Sequence, residues 1–127
     1  MTTIVHFEIP SDNVERCKKF YTSLFGWQMQ NMMGPMEYWM FRTADEDGKE
    51  VTGGAVMKRQ YPGQPMINYI GVDSVSEYSK KVESLGGKVK IPKTEVPGFG
   101  WFAMCTDTEN NTFALWETNK EAHGQRS

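Results

Sequence analysis

The sequence predicts an α+β fold made of two tandem βαβββ units. Three observations carry that prediction. Ile4 to Trp27 reads as strand, tight turn, amphipathic helix and glycine stop. Met66 to Lys88 repeats that order at an offset of 61 residues, which superimposes Ile9 on Ile70, Asp12 on Asp73, Val14 on Val75, Leu24 on Leu85 and Gly26 on Gly87. Each copy is followed by short alternating or apolar runs separated by turn residues, the mark of antiparallel hairpins.

In the first copy, Ile4 to Ile9 alternate and are rich in β-formers, and Pro10 is expected to end the strand. Asp12 is the expected N-cap, with Glu15 three residues on to complete a capping box. Val14, Cys17, Phe20, Tyr21, Leu24 and Phe25 recur at helical spacing. Gly26 suits a left-handed C-cap. Strand alternation puts His6 on one face with Ile4 and Glu8, while Val5, Phe7 and Ile9 turn to the helix. Trp27–Met33 and Met36–Thr43 form a hairpin broken by Gly34-Pro35, residues 45–49 make a polar turn, and Val51–Lys58 is a strand with a flexible Gly53-Gly54.

In the second copy the helix face is Val75, Tyr78, Val82 and Leu85. Lys88–Ile91 is a strand that Pro92 ends, and Pro92–Gly100 is a loop. Trp101–Thr106 and Thr112–Glu117 are strands around the turn 107–111. The chain thus reads as one domain over 1–127, with unit one about 3–58, a linker 59–65, unit two about 66–118 and a polar tail 119–127. On this reading Leu24→Ala and Leu85→Ala each cost about 2–5 kcal/mol.

Composition narrows the function. A chain of 127 residues with a formal charge of −2 has no basic stripe for nucleic acid. No run reaches the length of a membrane helix and no signal peptide opens it, so a cytoplasmic protein is expected. Cys17 and Cys105 stand too far apart for a zinc or redox motif and read as buried free thiols. Gly53-Gly54 and Gly86-Gly87 do not open helices and are not phosphate loops. His6 has no Ser or Cys partner by motif, and His123 falls in the tail. The second and third strands are crowded with Met, Trp, Tyr and Phe, as is the end of the chain around Trp101, Phe102, Met104, Phe113 and Trp116. Two sheets apolar on both faces need cover on the side away from the helices. A concave cup for a small apolar or aromatic ligand, a dimer partner, or both would supply it. Glu8, Tyr69, Phe99, Trp101 and Trp116 are the candidate lining, and the Pro92–Gly100 loop the candidate rim.

Several pieces carry a resemblance: HFEI, Phe20-Tyr21, Leu24 to Trp27, Val72 to Val75, Leu85 to Gly87, and the final DTENNTFALWE. In order and spacing they resemble the vicinal oxygen chelate superfamily of glyoxalase I, bleomycin-resistance proteins and extradiol dioxygenases. That resemblance implies a homodimer and a divalent metal held by a first-strand and a last-strand ligand from each unit. Carried onto this chain, the four positions are His6, Ile67, Ala114 and a strand, Val51–Met57, with no carboxylate. Three of the four ligands are lost, so no tightly bound metal is expected. The function expected is small-molecule binding, with His6 as acid–base or hydrogen-bonding group. The alternative is a metal-dependent lyase, of the lactoylglutathione type, or a dioxygenase with an unusual ligand set around His6 and Glu8.

Overall fold

The computed structural model describes residues 2–119, so His123 and the tail beyond Asn119 lie outside the described residues. The chain divides into two units, one formed by Val5–Ile67 and the other by the residues from Asn68 onward with those before Val5. Both follow one plan. In the first, β1 (Thr3–Ser11) leads to α1 (Val14–Phe25), then β2 (Met29–Asn31), a 3-10 turn at Gly34–Met36, β3 (Tyr38–Ala44) and β4 (Glu50–Lys58). In the second, β5 (Ile67–Gly71) leads to α2 (Val75–Ser84), β6 (Lys88–Val96), β7 (Gly100–Thr106) and β8 (Thr112–Thr118).

Within the first unit the strand order is β2-β3-β4-β1, and within the second it is β5-β8-β7-β6. The first strand lies parallel to the last in each, β1 with β4 and β5 with β8, while the remaining pairs are antiparallel. The parallel pair is what the helix makes possible, since a crossover is needed to return the chain in the same direction. The duplicated α+β plan read from the sequence is therefore present.

The local signals explain most of the boundaries. Gly26 adopts φ 76° and its N–H donates to the Thr22 carbonyl, closing α1 as an αL cap. Ser74 caps α2 through its side chain, which accepts from the Glu77 N–H. The cap of α1 is Asn13 and not Asp12: its side chain accepts the Arg16 N–H. Asp12 is drawn away by Arg59, whose Nε donates to Asp12 Oδ1 at 2.9 Å. The true pair, Asn13 and Ser74, keeps the 61-residue offset.

Two prolines do not end their strands. Pro10 sits inside β1, where a fixed φ near the extended region costs only a missing N–H. Pro92 sits inside β6, the outermost strand of its sheet, between register shifts at Val89/Ile91 and Ile91/Thr94. Edge position and bulges are what a strand proline requires. The expected Pro92–Gly100 loop thus shrinks to residues 97–99, because Thr94, Glu95 and Val96 pair with β7. Gly53-Gly54 is not a flexible pair. A Cβ on Gly54 would strike the Phe7 carbonyl oxygen and lie 3.1 Å from the Phe7 ring, and one on Gly53 would strike the Phe41 carbonyl oxygen. The glycines let the strands pass closely.

Each helix covers one face of the strands of its own unit. In the first unit Ile9, Val14, Phe41 and Val56 are buried, with Phe7, Cys17, Tyr21, Trp27, Met29 and Trp39 packed against them. Trp27 is the hub of this core, stacked on Phe41 at 4.5 Å and on Tyr21 at 5.7 Å between centroids. In the second unit Val72, Val75, Ala103, Cys105 and Leu115 are buried, with Ile70, Tyr78, Val82, Val89 and Phe113 around them. Burial pushes the Cys105 thiol up to about 11, with Glu83 adding to the shift, so it is an inert core group.

The helix faces differ from the sequence reading in one respect. Leu24 is 57% exposed and Leu85 78% exposed. At about 100° per residue, Phe20 and Leu24 lie roughly 70–110° off the Val14–Tyr21 line, beyond the arc the sheet covers. Leu85 follows the last helical residue, Ser84, and the chain turns at Gly86 with φ 98°, so it leaves the stripe. Neither leucine is a core residue. Val75→Ala and Val56→Ala, at sites of zero exposure, are expected to cost about 2–4 kcal/mol each. Leu24→Ala and Leu85→Ala should stay within about 0.5–1 kcal/mol. Urea unfolding of the four variants checks the ordering.

Candidate functional site

The helix-free face of the first unit carries the polar chemistry. Pairing His6 with Gly53 and Glu8 with Ala55, in the alternating strand β1, points both side chains away from α1. On β3, Tyr38 pairs with Met57 and Met40 with Ala55, which puts Tyr38 on that same face. The three side chains meet there. Tyr38 Oη donates to Glu8 Oε2 at 2.6 Å, and His6 Nε2 lies 2.7 Å from the same hydroxyl. The His6 and Tyr38 rings are near parallel, 24° apart with centroids at 6.0 Å.

A hydroxyl has one proton. Tyr38 gives it to Glu8, so the short contact to His6 is made by a proton on Nε2. Burial disfavours the charged imidazole, lowering its pKa from 6.5 to about 4 by desolvation.

Tyr38 was legible only as one of a crowd of aromatics. Its place between His6 and Glu8 depends on the registers of β3 on β4 and β4 on β1, with sequence separations of 32 and 30 residues. Nothing local in the sequence encodes that alignment.

The remaining candidates lie in the second unit and do not share one face. Tyr69 pairs with Ala114, so both occupy the helix-free face, and both are buried. Trp116 lies on that face too, opposite Phe102, and its Nε1 donates to Thr118 Oγ1 at 3.0 Å. Trp101 pairs with Glu117 and so faces the helix side, where Lys93 Nζ stands 5.0 Å from its ring centroid. Glu117 caps the start of α2, accepting the Val75 N–H at 2.9 Å, and is thereby turned away from Ala114 as period two requires. Phe99 is 40% exposed in the short turn after β6. Two surface hollows of the first unit lie away from these groups. One runs along α1 at Glu15, Lys18, Lys19 and Thr22, and the other lies beside the loop at Arg59, Tyr61 and Pro62.

The ligand positions implied by the family resemblance can be tested on this geometry. Ile67 and Ala114 are buried apolar side chains. Val51 to Met57 has no carboxylate. His6 Nε2 and Glu8 Oε2 both hydrogen-bond the Tyr38 hydroxyl. Among the described residues no three His, Cys, Asp or Glu side chains gather where a metal ion could be held. The residues present do not fit the four-ligand centre.

Comparison with known proteins agrees with the geometry of the fold. The bleomycin resistance protein-like N-terminal family profile matches residues 3–44, from β1 through β3. A glyoxylase-like domain-containing protein of Didymella fabae is 34% identical over 115 residues, which are 85% of this chain and 88% of that protein. The chain belongs to the glyoxylase-like family. A second relative of this glyoxylase-like chain, CFP32 of Mycobacterium tuberculosis, carries a glyoxylase name and is 32% identical over 89% of the chain. The chain spans 44% of that relative's length. Among solved structures, methylmalonyl-CoA epimerase in complex with methylmalonyl-CoA and NH4+ superimposes with a TM-score of 0.69 at 14% identity, covering 93% of this chain and 95% of the epimerase chain. That likeness establishes the vicinal oxygen chelate fold. Among the described residues no helix is long and apolar enough to cross a membrane.

The burial of His6 sets a pH dependence with a definite sign. Between pH 6.5 and about 4 the unfolded chain binds a proton that the folded chain refuses. Stability at neutral pH is therefore lost as pH falls through that window, by an amount of order 1–3 kcal/mol. His6→Phe should flatten this part of the curve, as measured by chemical unfolding at a series of pH values.

Proposed function

We propose that this glyoxylase-like chain binds a small organic molecule on the helix-free face of its first unit, without a resident metal. The single observation that carries this reading is the bridge of Tyr38 between His6 and Glu8. A hydroxyl held there satisfies both groups, in a position where a cation would need both as ligands. A neutral imidazole and a tyrosine, flanked on the same face by Met40, Ala55 and Met57, make a largely apolar surface with a few oriented polar groups, as small-molecule sites usually are. Methionines suit such a surface because they adapt to ligand shape. In the second unit the corresponding face, with Tyr69, Phe102, Met104 and Trp116, has the same apolar character.

Two further features belong to this proposal. The free Cys17 and Cys105 fit a reducing compartment such as the cytoplasm. Phe20 and Leu24, both more than half exposed on the flank of α1, offer apolar area that a second copy of the chain can cover.

The test uses untagged protein. A thermal-shift screen of uncharged aromatic compounds, run before and after EDTA treatment, should find ligands whose stabilisation is unchanged by EDTA and lost in His6→Ala. At a ligand concentration 100 times its Kd the gain is about 2.7 kcal/mol, enough to shift Tm by several degrees. One equivalent of zinc, nickel, manganese or iron that disappears in His6→Ala would instead establish the metal-dependent lyase or dioxygenase alternative.

A further inference from the structure

Tyr38 enters β3 from a hairpin tip that one side chain stitches together. The tip runs from residue 32 to residue 37, between β2 and β3, and its Met32, Met33 and Met36 are exposed. Packing therefore contributes little to holding it. Asn31, the last residue of β2, reaches it at three points. Its Oδ1 accepts the N–H of Met33 and the N–H of Tyr38, each at 3.1 Å, and its Nδ2 donates to the Gly34 carbonyl at 2.7 Å. Both lone pairs of Oδ1 are thereby used. The Gly34 carbonyl also accepts the Glu37 N–H at 3.1 Å, so the Asn31 amide and the turn close on the same oxygen. The Tyr38 carbonyl accepts the Met32 N–H at 3.0 Å, which fixes the other side of that residue.

The residue before Tyr38 is strained. Glu37 has φ 53° and ψ 88°, a left-handed conformation that a residue with a Cβ adopts at a cost. Its neighbours hold it there: the turn bond to Gly34, the Asn31 amide on the next N–H, and Trp39 Nε1, which donates to Glu37 Oε1 at 3.2 Å. Without the amide, Glu37 would swing back toward negative φ and rotate the peptide that carries the Tyr38 N–H. The phenol would follow. A hydroxyl set 2.6 Å from Glu8 Oε2 and 2.7 Å from His6 Nε2 tolerates little displacement before both bonds weaken.

We propose that Asn31 is a positioning residue of the first unit's ligand face: its side-chain amide sets the backbone at Tyr38, and thereby the hydroxyl that joins Glu8 to His6. This rests on the reading of the helix-free face as the ligand face. The residue type follows from the task. The position needs an acceptor for two N–H groups one methylene from the backbone. Aspartate supplies that acceptor, glutamine carries it one methylene too far, and alanine lacks it.

The test reads the Tyr38 hydroxyl with no ligand added. In protein labelled with 13Cζ-tyrosine and dissolved in mixed light and heavy water, a hydroxyl proton held in a short hydrogen bond exchanges slowly and splits its Cζ signal. The chain has five tyrosines, and Tyr38→Phe identifies the Tyr38 signal. Tyr21, stacked on Trp27 in the core of the same unit, reports whether that unit is folded. The wild type is expected to show a split Tyr38 signal. In Asn31→Ala and in Asn31→Gln that signal should collapse to one averaged line while Tyr21 keeps its position. In Asn31→Asp the splitting should return. A split signal that persists in folded Asn31→Ala or Asn31→Gln would overturn the role of Asn31, and so would collapse in Asn31→Asp or an averaged line in the wild type. Loss of the Tyr21 signal in both the alanine and glutamine variants would overturn it as well, because Asn31 would then hold the fold and not the hydroxyl. The thermal-shift screen of uncharged aromatic compounds tests the ligand face separately: no ligand found there would overturn that face and leave the placement of Tyr38 by Asn31 standing.

Discussion

The two-residue period of β1 is the constraint on which the first unit depends. Phe7 and Ile9 must point one way to bury against α1, where Val14, Cys17 and Tyr21 complete the core. His6 and Glu8 are then forced to the other side, two residues apart on one face. The apolar half of the strand is what holds the polar half in position. A slip of one residue would drive an imidazole and a carboxylate into the aromatic stack around Trp27 and expose Phe7 and Ile9, and the cost of burying an unpaired charge prevents it. The Gly53-Gly54 pair belongs to the same constraint, because it lets β4 lie close enough to β1 and β3 to carry the register across to Tyr38.

The second unit uses the same plan with other chemistry. Its helix-side core is aliphatic where the first is aromatic, and its first strand has Ile67 and Tyr69 at the positions equivalent by offset to His6 and Glu8. Its one carboxylate at the sheet end, Glu117, is spent on the N-terminus of α2. A charge there meets unsatisfied backbone N–H groups and the helix dipole, so it serves structure. Glu117 is therefore turned toward the helix, away from the face of Ala114. Two acidic groups on these strands have local uses: Glu8 accepts from the Tyr38 hydroxyl and Glu117 from the Val75 N–H at the start of α2.

The helix signals show where local reading works and where it stops. Val14 and Val75 were correctly placed at matching buried positions because the first turn of each helix is anchored by its cap. The width of the buried stripe was not encoded locally. Phe20 and Leu24 have the right spacing for an apolar face, yet the sheet beneath covers a narrower arc than those residues span, and both stand in solvent in the isolated chain. Asn13 displaced Asp12 as the cap because Arg59, far along the chain, holds Asp12 elsewhere.

The sequence by itself determined the α+β plan, the duplication and the sidedness of β1. These follow from periodicity, capping and residue identity, all of which act within a few residues of chain. Only the tertiary structure decided that Tyr38 joins His6 to Glu8, that Pro92 lies within an edge strand, that Trp101 faces the helix side and that Glu117 is a helix cap. Each of those depends on strand register or on a partner more than seven residues away. Register is set by the packing of whole faces against one another, and no short window of sequence contains both partners.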